Sequence, residues 1–536
     1  MNRPRQRLAD FLADLKKRSG HSYEMLARKS NLSRSSVHRY CTGDIVPTEF
    51  GIVERIARAC GANHADLSLL YRLWANAVTD RPGAESPPAA TAVDLAADPT
   101  PAPARRQVGH KWVALVAVLL VIACALALTG STPAPTAAPP RPTAAPWTQA
   151  PTPVPRALFG VTLNSSTGAM PAFQVDAVRL WDSRTRWSNI QPRRGEYDWS
   201  ILDRLVDGAD KAGLPVLFTM GGTPGWASPN GPRTAYDDGS RTSPPDELAD
   251  WRAFVHAVAT RYRGRIDAYE LWVMGNDPRY YSGDLSTLVS MTRTATEVID
   301  SIDPDATTVC PSMGRLWEHD GRAALEKFAA LRGYDTCDAA GVKLHHRSAS
   351  DPPEQMLELV AEIDQALHRG GAHPPLWSTG TTYEIPLQTP LAAEAAADHA
   401  ARFFLVGLYA RYQRMYFYNW GGAKIPIVLQ TEGQPPTRAA LHVEELRRWL
   451  HGAMAHSCGT GHTVGLPADT WRCTISRDGA ESVVLWTSNG TARVKVPRGM
   501  STLHRLDGTT DDLATDGYVR VTTSPVLLSG RGSPPG

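Results

Sequence analysis

One stretch of this sequence decides how the rest can be arranged. Residues Trp112 to Thr129 read WVALVAVLLVIACALALT, with no charge and no proline. Roughly 18 residues of helix, at about 1.5 Å each, reach about 27 Å, close to the ~30 Å hydrocarbon thickness of a bilayer. A helix satisfies its own backbone hydrogen bonds, which is what lipid demands. The run therefore reads as a transmembrane helix within 109–130. A soluble core helix would not sit between two proline-rich deserts, and a cleaved signal peptide would not follow a folding pattern. Arg105, Arg106 and Lys111 flank its N-terminal side, and no charge follows until Arg141. By the positive-inside rule the N-terminus is expected in the cytoplasm and the C-terminal part outside the cell, as a single-pass protein of the cell membrane.

The 536 residues are too many for one ordinary core. The net charge of +2 excludes a chain that acts as a whole as a polyanion-binding tail. Residues 81–108 and 131–155 lack an apolar period and are rich in Pro, Ala and Thr, so both are read as linkers. The remaining blocks are 1–80, 156–452 and 453–536. Cys41 and Cys60 precede the apolar run, Cys124 lies in it, and Cys310, Cys337, Cys458 and Cys473 follow. An even set beyond a membrane is where disulfides persist. Cys458 and Cys473 bracket a short Gly- and Pro-containing loop and are expected to pair. Cys310 and Cys337 are the next pair to consider, because they belong to adjacent βα units.

The first block is helical in pattern. Leu8, Phe11, Leu12 and Leu15 share one helical face. A second helix follows from Tyr23, then a turn at Asn31-Leu32, then a third helix capped by Ser33. Leu26, Leu32 and Val37 would form the core. Arg34, Ser35, Ser36, His38 and Arg39 are left on the outer face of the third helix, where short polar and Arg side chains suit base edges and phosphates. The stretch SYEMLARKSNLSRSSVHRYCTGDIVP resembles helix-turn-helix domains of phage-repressor type, which implies DNA as the cytoplasmic partner.

The second and longest block, 156–452, alternates strands with amphipathic helices. Strands are expected at 158–161, 177–181, 215–219, 268–272, 307–311, 341–345, 375–379 and 415–420, which is the pattern of a (β/α)8 barrel. The block 453–536 reads as a small β-rich domain, with Val483–Trp486 and Arg493–Val496 joined as a hairpin at Asn489-Gly490.

The words at the strand ends resemble retaining glycoside hydrolases of the (β/α)8 clan, nearest the family of β-xylosidases and α-iduronidases (family 39). WSNIQPRRGEYDW at Trp187–Trp199, TPGWAS at Thr223–Ser228 and RYRGRIDAYELW at Arg261–Trp272 carry the likeness. In that family ELW is followed by Asn-Glu-Pro-Asn. Here it is followed by Val273, Met274, Gly275 and Asn276, so Met274 takes the place of the acid/base glutamate. The nucleophile is expected after Leu376-Trp377-Ser378-Thr379, where this chain has Gly380. Retaining hydrolysis needs two carboxylates about 5–5.5 Å apart, and Met and Gly supply neither. Asp277 and Glu384 are the substitutes to weigh, and Glu270 reads as a structural strand carboxylate. Arg179, Trp181, His345, His346, Tyr418 and Trp420 fall near strand C-termini and are candidates for sugar contact, by aromatic stacking and hydroxyl bonding. Ordinary packing at the barrel mouth explains them equally well. No metal spacing is convincing, since the adjacent His345 and His346 suit neither helix nor strand chelation, and no cofactor is implied.

The combined reading is a membrane-anchored DNA-binding transcriptional regulator with an inactive glycosidase-like ectodomain. Its expected partners are DNA, the bilayer, an extracellular glycan and a second copy of itself. Two alternatives stand beside it: an active membrane-tethered retaining glycosidase with a cytoplasmic helix-turn-helix module, and a structural link between envelope and nucleoid.

Overall fold

The computed structural model describes residues 3–30, 32, 34–47, 50–62, 66, 69, 70, 73, 74 and 77, and then 146–381, 385–423, 425–514 and 517–530. The apolar run Trp112–Thr129, both flanking linkers as far as residue 145, Asn31, Ser33 and Glu384 lie outside the described residues. Among the described residues no helix is long and apolar enough to cross a membrane. The chain divides into two units, Met1–Pro139 and Pro140–Gly536.

In the first unit four helices, α1 (Arg3–Ser19), α2 (Tyr23–Ser30), α3 (Arg34–Cys41) and α4 (Phe50–Ala59), close around one core. Leu8, Leu12 and Leu15 of α1 meet Leu26, Val37, Val53 and Ile56 there, with Leu32 half-buried against them. The apolar spacing in the sequence is thus the buried stripe of each helix. Cys41 and Cys60 are buried free thiols.

In the second unit eight parallel strands form a closed barrel: β2 (Phe159–Leu163), β3 (Ala177–Leu180), β4 (Val216–Thr219), β5 (Ala268–Glu270), β6 (Thr307–Met313), β7 (Ala339–Val342), β8 (Leu376–Ser378) and β9 (Arg414–Trp420). β9 pairs back onto β2, so the barrel has no free edge. Alternate residues point inward. The lower interior layer holds Ala177, Leu217, Ala268, Val309, Ala339, Trp377 and Tyr416. Two residues further along four of these strands come Arg179, Thr219, Glu270 and Tyr418, so parity alone aims them into the barrel above that layer.

The C-terminal strands are β10 (Met454–Thr460), β11 (Thr470–Arg477), β12 (Ala480–Thr487), β13 (Ala492–Lys495), β14 (Thr502–Arg505), β15 (Thr510–Asp512), β16 (Tyr518–Val521) and β17 (Val526–Ser529). Two expectations are corrected here. The segment expected as linker up to residue 155 contains β1 (Trp147–Pro153), the edge strand of a sheet ordered β1-β10-β11-β12-β17-β14-β15. Trp147 is buried and donates its indole N–H to the Tyr409 carbonyl (2.8 Å), which pins the strand. The Asn489-Gly490 turn does not join a hairpin either. β12 already has β11 and β17 on its two sides, and β13 pairs with β16 in a separate ribbon.

Disulfides join Cys310 to Cys337 and Cys458 to Cys473, with Cα atoms 5.5 and 4.1 Å apart. The sheet and the barrel share one core. At their junction the buried Arg402 binds Glu354 (2.9 Å), and Glu354 accepts the indole N–H of Trp486 (2.8 Å).

Candidate functional site

The barrel interior carries a polar layer built around Glu270, which is fully buried. Its carboxylate accepts from Arg179 (2.7 Å), Thr219 (2.7 Å) and Thr379 (3.0 Å). Lys343, one residue past β7, donates to the Thr379 carbonyl (2.6 Å) and hydroxyl (2.9 Å) and lies 3.5 Å from Glu270. Burial alone would raise the Glu270 carboxyl, but Arg179 and then Lys343 outweigh it and hold it down at about 2. Burial, aided by Arg179, pushes the Lys343 ammonium down to about 7 against the pull of Glu270. Arg179 thus engages Glu270 through Nε inside the barrel, and its Nη2 is buried without a hydrogen-bond partner. Lys343 was not singled out in the sequence, although its spacing of two from Gly341 in β7 marks it as inward-facing.

Above this layer, on the β5 side, the mouth is filled by the chain's own side chains. Met274 is buried with a positive φ of 46°, and packs with Trp181 and Val273 beneath Tyr236 and Tyr280. Its backbone N–H donates to Ser312 Oγ (3.0 Å). Its methyl lies over Gly314, where an added Cβ would come within 2.7 Å of Met274 Cε. Trp181 donates its indole N–H to the Tyr236 hydroxyl (3.0 Å), and Arg186 stacks on the Tyr236 ring at 3.7 Å while pairing with Asp238. The loop after β4 is thereby strapped across the position where an acid/base residue is expected. Asp277 does not face it as a free acid. It is buried in a tight turn, where Arg279 donates to both of its carboxylate oxygens (2.6–3.1 Å).

On the opposite side of the mouth, Gly380 sits at φ +107°, with room for a Cβ: the nearest atoms would be Thr162 Oγ1 at 3.8 Å and Tyr418 at 3.9 Å. Tyr418 donates to Asp182 (2.8 Å), which the Tyr236 hydroxyl also approaches (3.4 Å). Asp182, Tyr236 and Tyr280 were invisible as site residues in the sequence, because they lie on loops that only the fold brings together. His345 and His346 are buried beside Gly380 and Tyr418. Burial pushes them down to about 4 and about 3, so both are neutral at physiological pH. Trp420 is the last residue of β9. It is buried, and its indole N–H is committed to Gln430 (2.8 Å).

In the first unit, α3 presents Arg34, Ser35, His38 and Arg39 as exposed side chains, with Ser36 half-exposed and Val37 and Cys41 turned into the core. The His38 ring meets the edge of Tyr23 with centroids 5.0 Å apart, which ties the helix to α2.

These two geometries define a class: a helix-turn-helix DNA-binding domain on one chain with a glycoside-hydrolase-like (β/α)8 barrel and a C-terminal β sheet. Residues 7–70 match the family described as helix-turn-helix domain, and residues 161–264 match the family described as β-galactosidase (glycoside hydrolase 42). Among solved structures, a family 39 glycoside hydrolase from Bacteroides cellulosilyticus WH2 is similar at 16% identity and TM-score 0.52, covering 70% of this chain and 81% of that one. A monomeric β-xylosidase from Caulobacter crescentus CB15 is similar at 12% identity and TM-score 0.50, covering 71% and 97%. At these identities the likeness is one of fold. No curated protein matches this sequence.

Proposed function

We propose that this protein is a membrane-anchored transcriptional regulator whose extracellular barrel has lost glycoside hydrolysis and serves as a sensor, binding a glycan or a fragment of one. One observation carries the reading. Met274 and Gly380 stand where the retained frames call for two carboxylates, and Met274 is packed under Trp181, Tyr236 and Tyr280 rather than facing a cleft. The carboxylates nearby are engaged, Glu270 by Arg179, Asp277 by Arg279 and Asp182 by Tyr418. Without leaving-group protonation and without a nucleophile, neither half of the retaining reaction can proceed.

The cysteines support the topology. The two described before the apolar run are free thiols, and the four after it are paired, as a reducing cytoplasm and an oxidising exterior would leave them. A ligand that prefers one ectodomain arrangement can bias the DNA-binding heads only through its differential affinity for the two states, and pairing of two chains is the route by which that bias would reach DNA.

The test is a genome-wide footprint of the full-length chain. The reading expects discrete sites with half-sites about 34 Å apart, lost in the Arg34→Ala, Arg39→Ala variant. It also expects an outside thiol label to reach a cysteine introduced at residue 140 and to miss one at residue 90. Footprints no better than random sequence, or the reverse labelling, would overturn it.

A further inference from the structure

Residue 380 is where the strand frame calls for a carboxylate, and the glycine there leaves a gap. A Cβ built on Gly380 would find nothing nearer than Thr162 Oγ1 at 3.8 Å and the Tyr418 ring at 3.9 Å. Gly380, Thr381 and Tyr418 also line a cavity at the ends of β7, β8 and β9, so the gap continues into open space rather than into packed atoms.

Two polar groups are left over beside it. Thr162 follows Gly160 by two in β2, and a Cβ on Gly160 would run into the Tyr416 ring of the interior layer, so both positions face inward. In the strand ladder Thr162 is the register partner of Arg179 on one side and of Tyr418 on the other. Thr162 and Arg179 are both buried. Among the described residues, Thr162 Oγ1 and Arg179 Nη2 find no hydrogen-bond partner. A guanidinium only donates, and a hydroxyl can, so what both lack is an acceptor. Buried donors without acceptors are costly, and native folds keep few of them.

Charge decides the kind of acceptor. Within the polar layer two basic side chains, Arg179 and Lys343, face one carboxylate, Glu270. Asp182 stands above them, but it already accepts from Tyr418 (2.8 Å) and faces the Tyr236 hydroxyl (3.4 Å). With Lys343 protonated, the layer carries one positive charge more than it pairs inside, and an unpaired cation is expensive in a low-dielectric interior. A water would take the two hydrogen bonds and leave that surplus. A monoanion answers both, and the two oxygens of a carboxylate suit one donor each.

We infer that the gap over Gly380 is a binding site for the carboxylate group of a ligand, accepting from Thr162 Oγ1 and Arg179 Nη2. The inference rests on the reading of the barrel as a binding domain that does not hydrolyse, and it narrows the ligand from glycans at large to a molecule carrying a carboxylate.

The test uses the full-length chain in lipid nanodiscs, in chloride-free buffer at about pH 6, below the value of about 7 to which Lys343 is lowered. Isotope-labelled acetate is titrated and read by NMR, beside acetamide, which has the same shape without the charge. The expected result is saturable binding of acetate and at least about tenfold weaker binding of acetamide. Thr162→Val keeps the branched shape and removes only the free hydroxyl. It should fold as the parent does and bind acetate about tenfold more weakly, whereas Thr162→Ser should bind it as the parent does. Displacement of acetate by methyl glucuronoside but not by methyl glucoside would assign the site to an acidic sugar; acetate undisturbed by either would assign it to a free small acid. Glu384→Gln should leave acetate affinity within about twofold. A rise of about tenfold there would show that the chain's own Glu384 fills the gap, and would overturn the inference. Equal binding of acetate and acetamide, no saturable binding to the folded chain, or unaltered affinity in Thr162→Val would overturn it as well. Glycoside turnover measured on the same sample tests the non-hydrolytic reading separately, so the two can fail independently.

Discussion

Glu270→Gln is the most informative single change in the barrel. The substitution keeps shape and removes one negative charge from a fully buried site where it faces Arg179 at 2.7 Å and Lys343 at 3.5 Å. Arg179 would then lose its counter-charge in a low-dielectric interior, while Lys343, held near 7 only with Glu270 present, would give up its proton; breaking one partner out of a buried pair costs about 3–5 kcal/mol. The lowered Glu270 carboxyl points to a similar size. A carboxyl held at about 2 instead of 4.5 corresponds to about 3 kcal/mol of preference for the charged form. The sign follows from the depressed value. The contribution is present above pH 4.5 and is lost as pH falls from there through about 2. Urea unfolding followed by tryptophan fluorescence reports this unit, because every tryptophan except Trp74 and Trp112 lies in it. The expected loss is about 3–5 kcal/mol at pH 7, shrinking below pH 4 as the wild type forfeits the same interaction. Lys343→Met should cost less in that background than in the wild type, since without Glu270 the amine is neutral at pH 7 and has no carboxylate to pair with. A loss under about 1 kcal/mol, or a Lys343→Met effect of equal size in both backgrounds, would refute the reasoning.

Other outcomes follow from the same geometry. Replacing Cys458 and Cys473 by serine opens a loop with a sequence separation of 15 and should cost about 3 kcal/mol, read as a lowered urea midpoint of the Pro140–Gly536 unit. Trp147→Ala removes the buried anchor of β1, and should cost about 3–5 kcal/mol and speed amide exchange along Met454–Thr460, its partner strand. Arg34→Ala and Arg39→Ala should each weaken operator binding; a residue that contacts phosphate should also lower the salt slope by about 1, whereas one that reads a base should relax sequence preference.

The sequence made the barrel legible because each strand is a short apolar block between amphipathic helices, and all eight such blocks became strands. It also placed the helices of the first unit by their apolar stripes. β1 was missed for a physical reason. Apart from Trp147 its side chains are largely exposed, so no alternation marks it, and it is held by backbone pairing to β10 far along the chain. The role of Arg179 was missed because its partner is 91 residues away. Parity within β3 turns it inward, and only the closed barrel brings Glu270 opposite. Trp181 and Tyr418 do meet at the mouth, but through Tyr236 and Asp182, whose loops carry no signature. Trp420, two residues from Tyr418, is turned instead toward Gln430, so nearness to a strand end did not distinguish a mouth residue from a packed one.

We propose that the barrel does not hydrolyse glycosides. This is tested most directly by incubating the purified full-length chain with aryl xylosides, glucosides and galactosides, beside Asp277→Asn and Glu384→Gln variants. A Met274→Glu, Gly380→Glu variant belongs in the same assay, although the φ of +107° at residue 380 strains any side chain placed there. No release of aglycone above buffer is expected from the unsubstituted protein. Clear turnover that disappears when Asp277 or Glu384 is changed would contradict it.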